Sequence, residues 1–397
     1  VLVERMKQGV GLDKGQEKEF EELETLFERE EGGWEKLVSP HEGVEMQIKK
    51  QKGKKVGVAL GRAESTADCT AEEAAAWYFE FCSRERKAAD ADNTRIELRK
   101  EKQNENEKEF AYIKVMPFLL TNREYVTKFI WRRNKDNSIT IAVTSVGTTV
   151  DYGANQNIVK GTMKTIFRAE NSSNEGMVPQ CKVCVKQYFN LGGLVPLSFV
   201  NNNMPRFLGG LNNLNLVFKR DDEVDRSRLY KLAKTIKNES QEYDENEKKA
   251  IRDGKELYMK CKEDLLFDEL ESPDARVKMK LVHVDGESLA TGFTTTVVDA
   301  SVEECAAYTM IDLDSRETVR KRGASNRIVK KINDHSVYYI STRELGYYLN
   351  PRDARNKAIW MKGDGGSVVI DISDTKEVME EYPVKDGNVL VSAHTVW

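Results

Sequence analysis

The residues that could do chemistry are few and scattered. Cysteines stand at 69, 82, 181, 184, 261 and 305, and histidines at 41, 283, 335 and 394. Cys181 and Cys184 form a C-x-x-C. The run Cys181-Lys182-Val183-Cys184-Val185-Lys186 reads as a strand, where residues three apart point to opposite faces, so one ion cannot be gripped by both thiols. No second C-x-x-C or close histidine pair completes a zinc set. The histidines sit in no metal or nucleophile signature, and no G-x-S-x-G, P-loop or H-E-x-x-H is present. Gly209-Gly210 and Gly365-Gly366 lack a phosphate-binding context and read as turns. The expectation is a chain without metal or cofactor that is not an enzyme. Few, scattered cysteines suit a reducing, cytoplasmic compartment.

Composition narrows the partners. A net charge of −4 with 32% charged residues gives no field for nucleic acid. No apolar run reaches the roughly 18 residues that a membrane-spanning helix needs. The first residues, Val1-Leu2-Val3-Glu4-Arg5, have no apolar core and no initiating Met, which reads as a fragment of a larger protein.

One stretch organises the elements. Tyr188-Phe189-Asn190 ends a β-rich run at Gly192-Gly193, a pair suited to a tight turn. Pro196 then opens an apolar segment. From Met204 onward the apolar positions follow a helical stripe: Met204, Phe207, Leu208, Leu211, Leu214, Val217 and Phe218. Glycine and asparagine make this a poor helix by propensity, so what its apolar face covers must hold it. Upstream, 13–31 reads as a helix closed by Gly32-Gly33. Asp68 to Glu73 carries a capping residue with acids in the first turn, a helix start. Strands are expected from Val44, over 56–60, 111–118, 124–132, 139–146, 158–167 and 181–189, and Arg95 to Glu107 reads as a charged, solvated strand and loop. Charged helices follow over 221–237 and 243–269. Successive strands with short turns imply an α+β fold with a curved antiparallel sheet and helices on one side.

The chain also repeats, with an offset of about 230 residues. Leu37-Val38-Ser39-Pro40 recurs as Leu270-Glu271-Ser272-Pro273, and Glu72-Glu73-Ala74-Ala75-Ala76-Trp77 as Glu303-Glu304-Cys305-Ala306-Ala307-Tyr308. Ser83-Arg84-Glu85 recurs as Ser315-Arg316-Glu317, Arg123 as Arg352, Ile130-Trp131 as Ile359-Trp360, and Thr165-Ile166-Phe167 as Thr395-Val396-Trp397. Nothing later matches 168–237. The expected division is an N-terminal helical segment (1–38), a first domain (39–220), a charged helical linker (221–269) and a second copy (270–397) without closing strands and helix.

These residues resemble the START family of lipid-transfer domains. An acidic-alanine helix ending in Ser-Arg precedes the family's sheet. It is matched by Glu72 to Arg84 and by Glu303 to Arg316. A later Gly-Gly-x-x-Pro before the last helix is matched by Gly192 to Pro196. Asn190 stands where the family commonly has Asp. The resemblance implies a helix-grip fold, a curved antiparallel sheet wrapped around a C-terminal helix, as a tandem repeat. It implies an internal tunnel for a lipid or sterol, and transient contact with a membrane surface. Val183, Val185, Met204, Phe207, Leu208, Leu211, Leu214 and Trp131 are then the candidate lining. Taken singly, each reads first as a residue of an ordinary core, and Trp131 and Trp360 first as anchors of their sheets. The alternative reading is a non-catalytic array of repeats from a longer chain, held at fixed spacing by the charged helices.

Overall fold

The computed structural model describes residues 1–29, 32–49, 58–98, 104–116, 120–152, 157–172, 177–263, 267–283, 290–322, 327–346 and 348–397. Val56, Gly57, Pro117 and Phe118 of the expected strands, and 264–266 of the expected helix, lie outside them. The chain divides into two compact units, Val1–Arg220 and Asp221–Trp397.

The first unit begins with α1 (Leu2–Gln8), α2 (Lys14–Glu28), β1 (Glu35–Leu37), β2 (Val44–Lys49) and β3 (Val58–Ala67). The helices α3 (Ala71–Phe79) and α4 (Arg84–Ala89) follow. Then come β4 (Thr94–Leu98), β5 (Glu107–Lys114), β6 (Asn122–Arg133), β7 (Ile139–Ser145), β8 (Ile158–Lys160), β9 (Thr162–Asn171) and β10 (Cys181–Asn190). The helices α5 (Leu197–Leu208) and α6 (Gly210–Val217) close the unit. The strand order is β1-β2-β3-β10-β9-β7-β6-β5-β4, with β8 on β6. Every pairing on that path is antiparallel; β8 runs parallel to β6. β10 joins the two halves, pairing β3 on one side and β9 on the other.

The pleat sorts the sheet's side chains into two cores. Leu60, Ile130 and Ala142 face outward and pack with Phe20, Leu23 and Phe27 of α2. Ala59, Ala63, Phe129, Trp131, Ile141, Val143, Val183 and Val185 face inward with Val200, Met204, Leu208, Leu211 and Leu214 of α5 and α6. Local signals agree with this plan. Asp13 caps α2 through a capping box with Gln16, and Thr70 caps α3 through one with Glu73.

Two contacts of α5 show how far the sheet curls. Gly61 on β3 lies so close to α5 that an added Cβ would stand 2.6 Å from Met204 Sδ. Phe207, under one helical turn further on, has Lys114 Nζ of β5 4.0 Å above its ring. β3 and β5 are separated in the sheet by β10, β9, β7 and β6. On a flat sheet strands spaced about 4.8 Å apart would put them roughly 24 Å apart, beyond the reach of one turn of helix. The sheet therefore wraps the helix, a helix-grip. The small residues Ala59, Gly61 and Ala63 let the helix approach.

The closing helix begins earlier than its stripe suggests. α5 starts at Leu197 after Pro196, and Pro205 lies inside it. Val200, Met204 and Leu208 recur every four residues on one buried face, and that burial outweighs the proline's missing donor. The helix gives way at Gly209, and α6 resumes at Gly210. The segment 1–38 belongs to the first unit, where Met6 is buried in its core.

The second unit runs α7 (Asp221–Asn238), α8 (Glu245–Glu263), β11 (Asp268–Leu270), β12 (Lys278–His283), β13 (Ala290–Thr295), α9 (Val302–Asp312), α10 (Arg316–Arg322), β14 (Arg327–Lys331), β15 (Ser336–Arg343), β16 (Arg352–Lys362), β17 (Val368–Asp374), β18 (Val389–Leu390) and β19 (Thr395–Val396). The element order matches that of the first unit from α1 to β9. The parallel pair β16–β18 matches β6–β8. Its strands form two sheets, β11-β12-β13 and β14-β15-β16-β17-β19 with β18 on β16. Among the described residues no strand plays the part of β10. The helices expected as a spacer over 221–269 are part of this unit. Ala233 and Ile236 of α7 share a core with Ala306, Ala307 and Met310 of α9 and with Trp360. Sparse apolar positions on these helices still suffice to bury one face. The end of that span, Asp268–Leu270, is strand β11 rather than helix.

Candidate functional site

A cavity of about 300 Å³ lies in the first unit, between the sheet's inner face and the α5–α6 pair. Its apolar walls are Phe81, Tyr112, Tyr125, Phe129, Met163, Val185, Phe189, Phe207, Leu208 and Leu211. Apart from Phe81, which lies in the turn after α3, each is placed by strand alternation or helical period. On β10 the inward set is Cys181, Val183, Val185, Gln187 and Phe189; its last three members line the cavity, as does Met163 of β9. Phe207, Leu208, Gly209, Gly210 and Leu211 line it from the α5–α6 junction.

The rings touch in sequence around the wall. Tyr112 and Tyr125, opposite each other on β5 and β6, have centroids 6.4 Å apart. Tyr125 and Phe189 are 6.1 Å apart, and Phe189 and Phe207 are 5.2 Å apart. Lys114 Nζ sits over Phe207, and the Arg95 guanidinium lies 5.5 Å from the Tyr112 ring.

The cavity is not purely apolar. Arg86, Arg95, Lys114 and Arg206 line it, with Asp90 as the only carboxylate among the described lining residues. Asp90 is already engaged: it accepts from Arg95 Nη2 at 2.5 Å, from Tyr112 Oη at 3.3 Å, and from Asn93. Arg86 is buried against Trp77, at 4.4 Å, and Phe81, at 4.8 Å, and donates to the carbonyls of Trp77 and Tyr78. Burial, then the Arg95 charge, pushes its pKa down to about 10. Lys114 is pushed down to about 7, first by burial and then by Arg206. Two buried polar atoms of lining residues, Arg95 Nε and Tyr125 Oη, have no partner among the described residues.

The residues singled out from sequence divide evenly. Val185, Phe207, Leu208 and Leu211 line the cavity. Val183, Met204, Leu214 and Trp131 are fully enclosed in the core and are not among its lining residues. Met204 is taken up by its contact with Gly61, and Trp131 fills the sheet's inner face. Sequence reasoning missed Gln187 and Phe189, although the period-two pattern on β10 extends to them. It also missed every charged lining residue. Arg95, read as part of a solvated strand, pairs directly with Tyr112 and shares its inward face; its side chain is 8% exposed. Arg123, which recurs as Arg352, is buried on β6 and donates from Nε to the Leu191 carbonyl at 2.7 Å, bracing the turn at Gly192-Gly193. Both glycines there have positive φ, 66° and 64°.

The C-x-x-C splits across β10: Cys181 faces the core and Cys184 the other face. Cys181 Sγ lies 3.9 Å from Cys69 Sγ, and all six cysteines are free. His394 in the second unit contacts the buried Asp371 through Nε2 at 2.5 Å, and His335 lies between Gln241 and Glu247. No helix among the described residues is long and apolar enough to cross a membrane.

No protein-family model matches the chain, and no curated protein matches it by sequence. Solved structures similar to it include a STAR-related lipid transfer protein fragment from Xanthomonas axonopodis, at 16% identity and TM-score 0.39, covering 48% of this chain and 100% of that one. Human StAR-related lipid transfer protein 5 is 18% identical with TM-score 0.41, covering 51% of this chain and 94% of its own. Human STARD10 is 14% identical with TM-score 0.41, covering 57% and 89%. At these identities and scores the likeness adds no weight beyond the strand order and the cavity themselves. The chain is similar to StAR-related lipid-transfer domains, each covering about half of it.

Proposed function

We propose that the first unit binds one molecule of a hydrophobic ligand between the sheet and the α5–α6 pair, and carries or senses it. The supporting observation is the aromatic-walled cavity of about 300 Å³ at that place. A concave, mostly apolar pocket with a few polar groups is the usual form of a small-molecule site. Each 100 Å² of ligand apolar surface removed from water there contributes about 2.5 kcal/mol before ordering costs. The reading is of binding rather than catalysis. Exchange with a lipid surface would follow from opening at the Gly209–Gly210 break, which borders the cavity.

Native mass spectrometry of the full chain, with extraction of co-purifying small molecules, tests this. One bound molecule per chain, or saturable binding of a fluorescent sterol or fatty acid, is the expected result. An empty protein that takes up neither probe overturns it.

A second reading applies to the second unit. Its element order suggests a repeat of the first. That repetition favours a structural or interaction role for this copy within an array of repeats.

A further inference from the structure

The lining holds more positive charge than it neutralises. Arg86 and Lys114 have no carboxylate partner among the described residues, and Asp90 is spent on Arg95, Tyr112 and Asn93. Buried charge without a counter-charge is costly. Two donors without a partner among the described residues, Arg95 Nε and Tyr125 Oη, belong to side chains that line the cavity but are themselves sealed from it. Arg95 Nε belongs to a side chain 8% exposed, and Tyr125 Oη to a residue 1% exposed. Arg95, Tyr112, Tyr125, Phe189, Phe207 and Lys114 form one continuous wall through the ring contacts given above. A ligand with an oily body and one anion suits this lining: the body covers the rings, and the anion supplies a counter-charge.

We propose that the cavity takes a single-chain or steroid-sized amphiphile carrying one anionic group, and that the anion is held by Lys114. This deepens the reading of the first unit as a hydrophobic-ligand site and rests on it. About 300 Å³ is the low end of small-molecule pockets, room for one chain rather than two. The rim cation Arg206 adds long-range attraction for the anion.

The test compares oleate with oleyl alcohol, which share their chain and differ in the head. Binding to the full chain is measured by displacement of a neutral fluorescent probe. Oleate is expected to bind on the order of ten- to a hundredfold tighter. In Lys114→Met that preference falls to within about threefold, with oleyl alcohol unchanged or improved. Lys114→Arg is expected to keep the preference. Lys114→Met also relieves a buried, poorly paired cation, so its ligand-free melting temperature is expected to equal or exceed the parent's. Equal affinity for acid and alcohol in the parent overturns the anion site and leaves hydrophobic binding standing. A preference retained in Lys114→Met overturns the role of Lys114. Failure to bind either probe overturns the hydrophobic site and this inference together.

Discussion

Replacing Gly61 by Ala puts the helix-grip geometry to a test in which the sign decides. In an ordinary strand, Gly→Ala gains roughly 0.5–1 kcal/mol because the unfolded chain loses freedom. Here the new methyl would meet Met204 Sδ at 2.6 Å and the Leu208 methyls at 3.1 and 3.2 Å. The thioether can swing partly aside, but it sits in a closed core beside Leu208. Overpacking of this kind costs about 1–3 kcal/mol, so the net effect is a destabilisation of about 1–2 kcal/mol. Met204→Ala alone opens a hole and costs about 2–5 kcal/mol. In the double variant the added methyl fills part of that hole. The double should therefore be no less stable than Met204→Ala, with a coupling of about 1 kcal/mol or more. Two units in one chain give separate unfolding steps, so a readout local to the affected unit is the sharper one. Amide hydrogen exchange over 58–67 and 197–208 reports the affected elements directly. Gly61→Ala slowing exchange in both segments, with additive effects in the double, would refute the packing of α5 on β3.

Two further outcomes follow from buried polar groups. Arg123→Met removes the donor to the Leu191 carbonyl at 2.7 Å, and should cost about 1–3 kcal/mol in thermal unfolding; full rescue by Arg123→Lys would mean that charge, not the guanidinium's geometry, matters there. Asp353 in the second unit is wholly buried and accepts from Thr342 Oγ1 at 2.6 Å, Asn388 Nδ2 at 2.8 Å, the Lys385 amide at 3.1 Å and Arg355 Nη2 at 3.3 Å. Burial pushes its pKa up, but these donors outweigh it and hold the carboxyl below its ordinary value. A lowered carboxylate contributes stability that is present above the unfolded pKa of about 4 and is lost as pH falls through the folded one. Asp353→Asn should flatten that acid limb in a pH series of melting curves. At pH 7 it should cost about 3–5 kcal/mol by leaving Arg355 without its counter-charge; an unchanged acid limb would argue against this role.

The amino-acid order alone determined a good deal here. Capping at Thr70 and Glu73, alternation along β10, the Gly192-Gly193 turn and the recurrence of Trp131 as Trp360 are local or pairwise patterns, and each is set by short-range sterics and by which residues water rejects. What only the tertiary structure decided is which inward positions pack solid and which border a gap. Val183 and Val185 are chemically alike and two residues apart, yet one is sealed in the core and the other lines the cavity. The difference lies in how far the sheet curls and where α5 breaks at Gly209, a sum over strands far apart in sequence. The same holds for Lys114 and Arg95. In sequence they are ordinary charges on polar strands. They become cavity groups because pairing with neighbouring strands fixes which face each presents, and the rolled sheet turns that face onto the helix.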